Sequence, residues 1–217
     1  MKGLMYMVLV NFSLFGCVSH ADPRLNVNQN LEMPEYKVLK SNAALELRAY
    51  KSFLTAQVEV SGSFDEAGSR GFRLLAKYIF GGNQSNTSIS MTAPVSMRPI
   101  LSKEELANIN TLSITETQSK RWQINFSMPS KFTLESLPAP QDRRIKLIEQ
   151  PAETVAVIVF SGRVNSANVN KYERQLMNWI KTEGLTVNGT ASIARYNDPF
   201  TFPWNRRNEL MIKVHTP

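Results

Sequence analysis

The side chains best placed to do chemistry together lie on one amphipathic segment. Its cations, Arg70, Arg73 and Lys77, are spaced i, i+3 and i+7, so a helix would align them in one stripe. Apolar residues recur at helical steps on the same segment, and they include Phe72, Leu75 and Ile79. At about 100° per residue, the stripe lies roughly opposite the centre of the apolar face. The pattern fits a core-facing helix with a solvated basic side, and it also fits a helix whose edge binds an apolar anion.

Residues for metal or nucleophilic chemistry are few. The chain contains one cysteine, Cys17, and two histidines, His20 and His215. These numbers exclude an intramolecular disulfide framework, a multi-cysteine zinc site and a histidine-rich metal centre. No GxSxG or HExxH motif is present. We therefore do not predict an enzyme.

Composition favours a globular chain without a nucleic-acid partner. The 217 residues are 42% hydrophobic, which suits one domain or two small lobes packed together. Lys and Arg number 25 against 18 Asp and Glu, for a net charge of +7. Because acidic residues are interspersed and no polybasic run occurs, we expect no nucleic-acid binding.

The N-terminus is predicted to be a targeting segment. Lys2 precedes a mostly apolar run over residues 4–16, which as a helix would rise only about 20 Å and could not cross a bilayer core of roughly 30 Å. Residues 14–17 (LFGC) resemble a bacterial lipobox, so residues 1–16 are interpreted as a lipoprotein signal peptide and Cys17 as the lipidated residue. An ordinary secretory signal is the alternative. The prediction is a lipid anchor facing the periplasm, with Val18 matching an outer-membrane sorting pattern, followed by a flexible tether over residues 17–33.

Two halves of the remaining chain share one order of elements. Each half places strands before one amphipathic helix, and residues 63–66 (SFDE) form a capping box at the start of the first helix. The second helix is predicted over residues 167–182. Alternating patterns predict strands at residues 36–40, 44–50, 53–60, 122–128, 144–150, 154–160, 190–196 and 209–214. We predict an α+β fold of two pseudo-repeats, with antiparallel strands forming a distorted β-barrel and one helix in each repeat.

Several short motifs resemble the SOUL haem-binding protein family. They are residues 34–39 (PEYKVL), 46–50 (ELRAY), 64–67 (FDEA), 78–83 (YIFGGN), 91–95 (MTAPV) and 206–209 (RRNE). Their order and spacing identify residues 34–217 as a SOUL domain. The resemblance implies a fold similar to that of gyrase-inhibitor-like proteins. It also implies non-catalytic tetrapyrrole binding in a surface groove beside the first helix.

The resemblance suggests which residues bind the haem. The expected set is Arg70, Phe72, Arg73, Leu75, Lys77 and Ile79, with the cations on the propionates and the apolar residues on the ring. Axial ligation is expected to be weak or absent, because some members of the family ligate iron through a histidine and this chain has none between Ala21 and Val214. His215 lies at the C-terminus, and Tyr78, Met91 and Met97 suit packing roles better. The partners are therefore haem or porphyrin and, through Cys17, a membrane, for a protein expected to be monomeric.

Other interpretations remain open from the sequence. Gyrase-inhibitor-like relatives include hydrolases that use a pocket glutamate, and the fold could bind other flat hydrophobic molecules or be purely structural. The RRNE charges are expected to tie the last strand to the sheet through bidentate pairs. In the proline-rich loop before RRNE, Phe200, Phe202 and Trp204 could wall a pocket or cover the end of the barrel.

Overall fold

The computed structural model describes residues 31–102, Glu105, Ile114 and residues 120–216. The two long helices are α1 (Phe64–Ile79) and α2 (Ser166–Thr182). The strands of the first half are β1 (Tyr36–Asn42), β2 (Leu45–Tyr50), β3 (Phe53–Ser61), β4 (Val95–Pro99) and β5 (Arg121–Ser127). Those of the second half are β6 (Lys146–Gln150), β7 (Glu153–Phe160), β8 (Thr186–Val187), β9 (Ser192–Arg195) and β10 (Asn208–His215). A short 3₁₀ helix, Pro203–Asn205, precedes β10.

The strands form one curled antiparallel sheet. Nine strands follow the order β1-β2-β7-β10-β9-β4-β5-β3-β6, and β8 pairs with the end of β10. Within the described residues, β1 and β6 are the two edges, so the sheet is a half-barrel that does not close. The predicted α+β class with two helices is confirmed.

The two halves of the chain are related within this sheet. The pair β9·β4 lies at the centre of this relationship. Outward from β9 come β10, β7 and β2, and outward from β4 come β5, β3 and β6, so that β10 corresponds to β5, β7 to β3 and β2 to β6. Each helix follows the equivalent strand, α1 after β3 and α2 after β7. The two halves exchange their outer strands. β2 of the first half pairs with β7 of the second, and β6 of the second half pairs with β3 of the first. The predicted pseudo-repeats are therefore confirmed, and they meet at β4 and β9.

Both helices pack on one face of the sheet. α1 contacts β3 and β5, and α2 contacts β7 and β10. The period of two along each strand sends alternate side chains to this face, where they form the main core. Its members from the strands and helices include Ala56, Val58, Ile124, Ile158, Leu210, Leu75, Ile79, Leu176 and Ile180.

The other face is concave. Tyr36 of β1 and Gln150 of β6 line the same cavity of about 90 Å³, although these are the two edge strands. The sheet must therefore curl around this face. Polar side chains in its lining include Arg98, Gln123 and Asn125, beside aromatic residues such as Tyr36 and Phe53.

The start of α1 and its close approach to the sheet both follow from local sequence. The predicted capping box is present, with the Glu66 carboxylate accepting from the Ser63 N–H at 3.0 Å.

Gly71 of α1 lies directly over Ile124 of β5, and a Cβ added to the glycine would stand 2.7 Å from the Ile124 Cγ1 atom. The glycine thus sets how closely α1 packs on β5.

Gly71→Ala is expected to lower the free energy of unfolding by about 1–3 kcal/mol, because the new methyl group overlaps Ile124. Gly68→Ala is the matched control on the same helix. Its Cβ would lie 3.4 Å from the Met97 sulfur, so the gain in helix propensity of about 1 kcal/mol should prevail. Urea unfolding of the two variants measures the difference, and equal midpoints would contradict the close approach.

The fold begins earlier than predicted. Glu32, expected in the flexible tether, pairs with Thr92, and its carbonyl accepts from the Ala93 N–H at 2.9 Å. Its carboxylate also accepts from the Ser130 N–H at 2.6 Å. The predicted signal peptide, Cys17 and the tether up to residue 30 lie outside the described residues. None of the helices that the structure describes is long and apolar enough to cross a membrane.

Candidate functional site

A groove of about 570 Å³ lies beside α1, over the junction of the two halves. Its walls come from α1, from β4, β5 and β9, and from the segment that leads into α2. The loop between β9 and β10 completes it through Asn197, Asp198 and Pro199. The volume is within the range of small-molecule sites.

The floor of the groove is apolar. Phe72 of α1, half exposed, stands over the sheet with its ring 5.4 Å from that of Phe126. The other apolar lining residues are Phe64, Val95, Met97, Ile124, Val164 and Ile193. Gly68 on the facing turn of α1 keeps this floor open, since no side chain projects from it. The groove thus offers a broad surface to a flat apolar molecule.

Four arginines line the same groove: Arg73, Arg163, Arg195 and Arg206. The carboxylates in the lining are Asp65 and Asp198. Among the described lining residues, cations therefore exceed anions by two. An apolar groove with this excess suits a ligand that carries carboxylates.

Arg195 lies in an electropositive part of the groove wall. Desolvation in the groove wall lowers the pKa of its guanidinium, Asp65 opposes this shift, and the like charge of Arg206 adds to it. Its guanidinium carbon lies 5.5 Å from the centre of the Phe64 ring. A carboxylate entering the groove would relieve the repulsion between the two arginines. Arg206 has a positioning role as well, because it donates to the carbonyls of Thr201 and Pro199, each at 2.8 Å.

The structure divides the residues predicted from the first helix. Phe72 and Arg73 line the groove. Arg70, on the second turn of the helix, is exposed, does not line the groove and donates to the Ser61 carbonyl at 3.1 Å. Lys77 is also exposed but does not line the groove, and its charge acts instead on Asp142.

Leu75 and Ile79 require a correction. They are 0% and 1% exposed and lie beneath α1 in the main core, so they support the helix and do not line the groove. Three lining arginines, at positions 163, 195 and 206, were not predicted. Arg206 lies in the RRNE motif but was assigned a structural role, whereas nothing in the local sequence of Arg163 and Arg195 distinguishes them from ordinary surface cations. Strand pairing brings the three together.

The groove offers little to an iron atom. His215 ends β10, pairs with Thr186 and lines a different cavity with Pro151 and Asn188. Tyr78 is buried and donates to the Pro138 carbonyl at 2.9 Å. Met91 does not line the groove, and Met97 is the one sulfur-bearing side chain among its described lining residues.

Two residues of the RRNE motif, Arg207 and Glu209, tie the last strand to the sheet as expected, whereas Arg206 lines the groove. Arg48 of β2 forms a bidentate pair with Glu209 of β10, at 2.9 and 3.0 Å, and both side chains are fully buried. The Glu209 carboxylate also accepts from Arg207, at 2.6 and 2.9 Å, and from the Tyr196 hydroxyl at 2.7 Å. Arg48 reaches Glu46 as well, at 2.7 Å. This network ties β2 to the last strand across β7.

Stability is expected to depend on the charge of Glu209. Burial alone would raise the pKa of its carboxyl, but Arg48 and Arg207 outweigh burial and, with the hydrogen bond from Tyr196, hold that pKa below its usual value. Tyr50 also faces this cluster through Arg48. Because the folded-state pKa is depressed, the stabilisation is present above the usual glutamate pKa of about 4.3 and is lost as pH falls through the folded value.

Urea midpoints measured from neutral to acidic pH should therefore fall more steeply for the wild type than for Glu209→Gln. The variant removes this proton-binding site and leaves the other carboxylates as an internal control. Parallel curves would contradict the assignment.

The geometry bears against the hydrolase alternative, which requires a buried glutamate in the groove. The buried carboxylates in the described part of the chain are Glu46, Glu173 and Glu209, and none lines the groove, whereas the hydrolase alternative requires one that does. The carboxylates that do line the groove, Asp65 and Asp198, are exposed.

Phe200, Phe202 and Trp204 neither line the groove nor cover the sheet, since all three project into solvent.

The chain matches the model of one protein family along most of its length. That model, SOUL heme-binding protein, matches residues 31–213. Heme-binding protein 1 of Mus musculus is 27% identical over 174 residues, which are 80% of this chain and 85% of the mouse protein. Heme-binding protein 1 of Xenopus tropicalis is 25% identical over 203 residues, covering 93% of this chain and 95% of its own length.

Solved structures share the fold at low identity. The C-terminal domain of EcmrR aligns with a TM-score of 0.58 and 12% identity, covering 84% of this chain and 99% of that domain. A hydrolase from Listeria innocua aligns with a TM-score of 0.53 and 12% identity, covering 82% and 94% of the two chains. At such identity the likeness concerns the fold alone.

Proposed function

Since the chain belongs to the SOUL heme-binding protein family, we propose that it binds haem or a related tetrapyrrole, without catalysis, in the groove beside α1. The observation that carries the proposal is the combination of an apolar floor with four arginines in one groove of about 570 Å³. A tetrapyrrole needs an apolar slot for its faces and cations for its propionates. The groove supplies both.

Three of the four arginines come from segments far apart in the chain. Arg73 lies on α1, Arg195 ends β9, and Arg163 lies between β7 and α2. Two propionates on one ring edge could therefore each meet a different guanidinium while Phe72, Met97 and Ile193 contact the ring. Bound haem would supply a redox-active iron, and the residues of this chain would hold the ring and restrict access of water to it.

Ligation of the iron is expected to contribute little to the affinity for haem. Of the lining residues that the structure describes, Met97 alone carries a side chain that iron commonly accepts, and Met97 is buried in the main core. Binding should rest mainly on apolar contact and on the arginines. Metal-free protoporphyrin should then bind about as tightly as haemin.

The experiment is a titration of the purified full chain with haemin and, separately, with protoporphyrin, followed by absorbance and tryptophan quenching. We expect saturable one-to-one binding of both, and a haemin spectrum that is unchanged in His215→Ala. A spectral shift in that variant, or much weaker binding of protoporphyrin, would contradict binding without histidine ligation. Absence of saturable binding by either ligand would overturn the proposal.

We infer further that the protein acts as a carrier, buffer or scavenger in the cell envelope, anchored by lipid on Cys17. The support is the lipobox-like sequence at residues 14–17. Labelled palmitate should enter the wild-type chain in bacterial cells and should not enter Cys17→Ser. Equal labelling of the two would reject the anchor and leave the groove proposal untouched.

A further inference from the structure

The loop between β9 and β10 exposes three aromatic side chains. Phe200, Phe202 and Trp204 are 92%, 62% and 66% exposed, whereas the other two tryptophans, Trp122 and Trp179, are buried. Aromatic residues of this size are usually at least half buried in a folded domain. Three of them within five residues form a compact apolar protrusion, which we call the aromatic loop (residues 199–204).

Hydrogen bonds hold the aromatic loop in the conformation that exposes these rings. The Asp198 carboxylate accepts from the Phe200 N–H at 2.8 Å and from the Thr201 N–H at 3.1 Å. On the other side, Arg206 donates to the Thr201 carbonyl, and the Gly162 N–H donates to the Pro203 carbonyl at 2.8 Å. The Phe202 and Trp204 rings stack in parallel, 4.9 Å apart. The loop therefore presents its rings outward in a defined shape.

The three rings do not serve the groove. Pro199 and Arg206, at the base of the loop, line the groove, but Phe200, Phe202 and Trp204 do not. Tetrapyrrole binding therefore leaves their exposure unexplained. A protein partner fits poorly too, because three side chains on a narrow protrusion offer far less than the roughly 800 Å² per partner that a stable interface buries.

Cations surround the base of the loop. Arg163 is exposed and follows Gly162, which is bonded to the loop, while Arg206 and Arg195 lie on the adjoining groove wall. Asp198 at the base of the loop stays ionised, because its hydrogen bonds, first that from the Phe200 N–H, lower its pKa. The three arginines outnumber the two carboxylates of the adjoining groove wall, Asp198 and Asp65. The whole chain carries a net charge of +7. The surroundings are thus complementary to an anionic surface.

We propose that the aromatic loop docks the folded domain on a lipid surface that contains anionic headgroups. Tryptophan and phenylalanine rings are stable at the boundary between headgroups and acyl chains, and arginines next to them pair with lipid phosphates. A narrow protrusion can enter a fluid lipid layer without a preformed complementary pocket. Docking would also bring the groove, which shares Pro199 and Arg206 with the base of the loop, to the lipid surface, a consequence that rests on the proposed function.

The test uses the full chain with Cys17→Ser, so that no lipid attached there contributes. Vesicles of phosphatidylcholine, with and without phosphatidylglycerol, are titrated while tryptophan emission is recorded. Because Trp122 and Trp179 are buried, a change reports on Trp204. We expect a shift to shorter wavelength and quenching by brominated lipids, both stronger with phosphatidylglycerol.

Phe200→Ser with Phe202→Ser should weaken binding to the anionic vesicles about tenfold, because each ring loses its contact with lipid. The matched control is Phe80→Ser, an exposed phenylalanine that follows α1 and should bind as the parent does. Haemin affinity in solution should be equal in all three proteins, which separates this proposal from the groove. Equal vesicle binding by the loop variant and the parent, or an unshifted Trp204 emission, would overturn the docking proposal.

Discussion

Haemin affinity should fall about a hundredfold or more when Arg73 and Arg195 are both changed to glutamate. Each guanidinium lies in the groove wall, one on α1 and one on β9. A charge-assisted hydrogen bond contributes about 1.5–3 kcal/mol, and a loss of 1.4 kcal/mol is tenfold in affinity. Replacement by glutamate adds repulsion of the propionates to the loss of both bonds. Titration with haemin, with the fold checked by circular dichroism, gives the ratio.

The matched control is Lys77→Glu with Lys171→Glu, which changes the net charge by the same amount. Neither lysine lines the groove, although Lys77 lies on the same helix as Arg73. The control should bind haemin within about threefold of the wild type, because exposed charges at a distance are largely screened by salt. Equal weakening by both double variants would show that only overall charge matters. Loss confined to the lysine variant would place the ligand outside the groove.

Replacing Glu209 with glutamine is expected to lower the free energy of unfolding by about 3–5 kcal/mol at neutral pH. The side chain is fully buried, and its two carboxylate oxygens accept from Arg48, Arg207 and Tyr196. Glutamine keeps the volume but leaves two buried guanidinium groups without their shared anion. The desolvation of those charges is then offset less, although Glu46 still accepts from Arg48 at 2.7 Å. Urea unfolding, fitted with a common slope, measures the loss.

Glu59→Gln provides the comparison for Glu209→Gln. Glu59 pairs with Arg121 at 2.7 Å, but both side chains are exposed. Such a pair contributes about 0–1 kcal/mol, so this variant should unfold close to the wild type. If Glu209→Gln unfolded at the same urea concentration as Glu59→Gln, the buried network would not be what joins β2 to β10.

Most of the secondary structure could be predicted from the residues. The capping box at Ser63 and the apolar spacing along α1 carry their signals within a few residues, and so does the continuous apolar, valine-rich run of β7. The pseudo-repeat was also visible, because each half repeats the order of strand and helix. β4 was missed as a strand, since Pro94 and Pro99 bracket it and interrupt the alternating pattern. β8, with two residues, is too short to leave a pattern.

The candidate site was only partly predictable. Helical spacing placed Phe72 on the apolar face of α1 and Arg73 in its basic stripe, and both line the groove. The same spacing placed Leu75 and Ile79 on an apolar face, but periodicity cannot distinguish a side that packs on the core from a side that walls a groove. Both environments exclude water, so both select apolar residues. Only the packing of α1 on β3 and β5 decides which residues lie beneath the helix.

What the sequence determined by itself is therefore local: the helices, most strands, the repeat and the family motifs. The tertiary structure alone decided that Arg163, Arg195 and Arg206 share a groove with Arg73, from which they are separated by 90 or more positions in the chain. They meet because β4 pairs with β9 and joins the two halves beside α1. Such a contact depends on strand pairing between distant segments, and short-range residue patterns carry no signal for it.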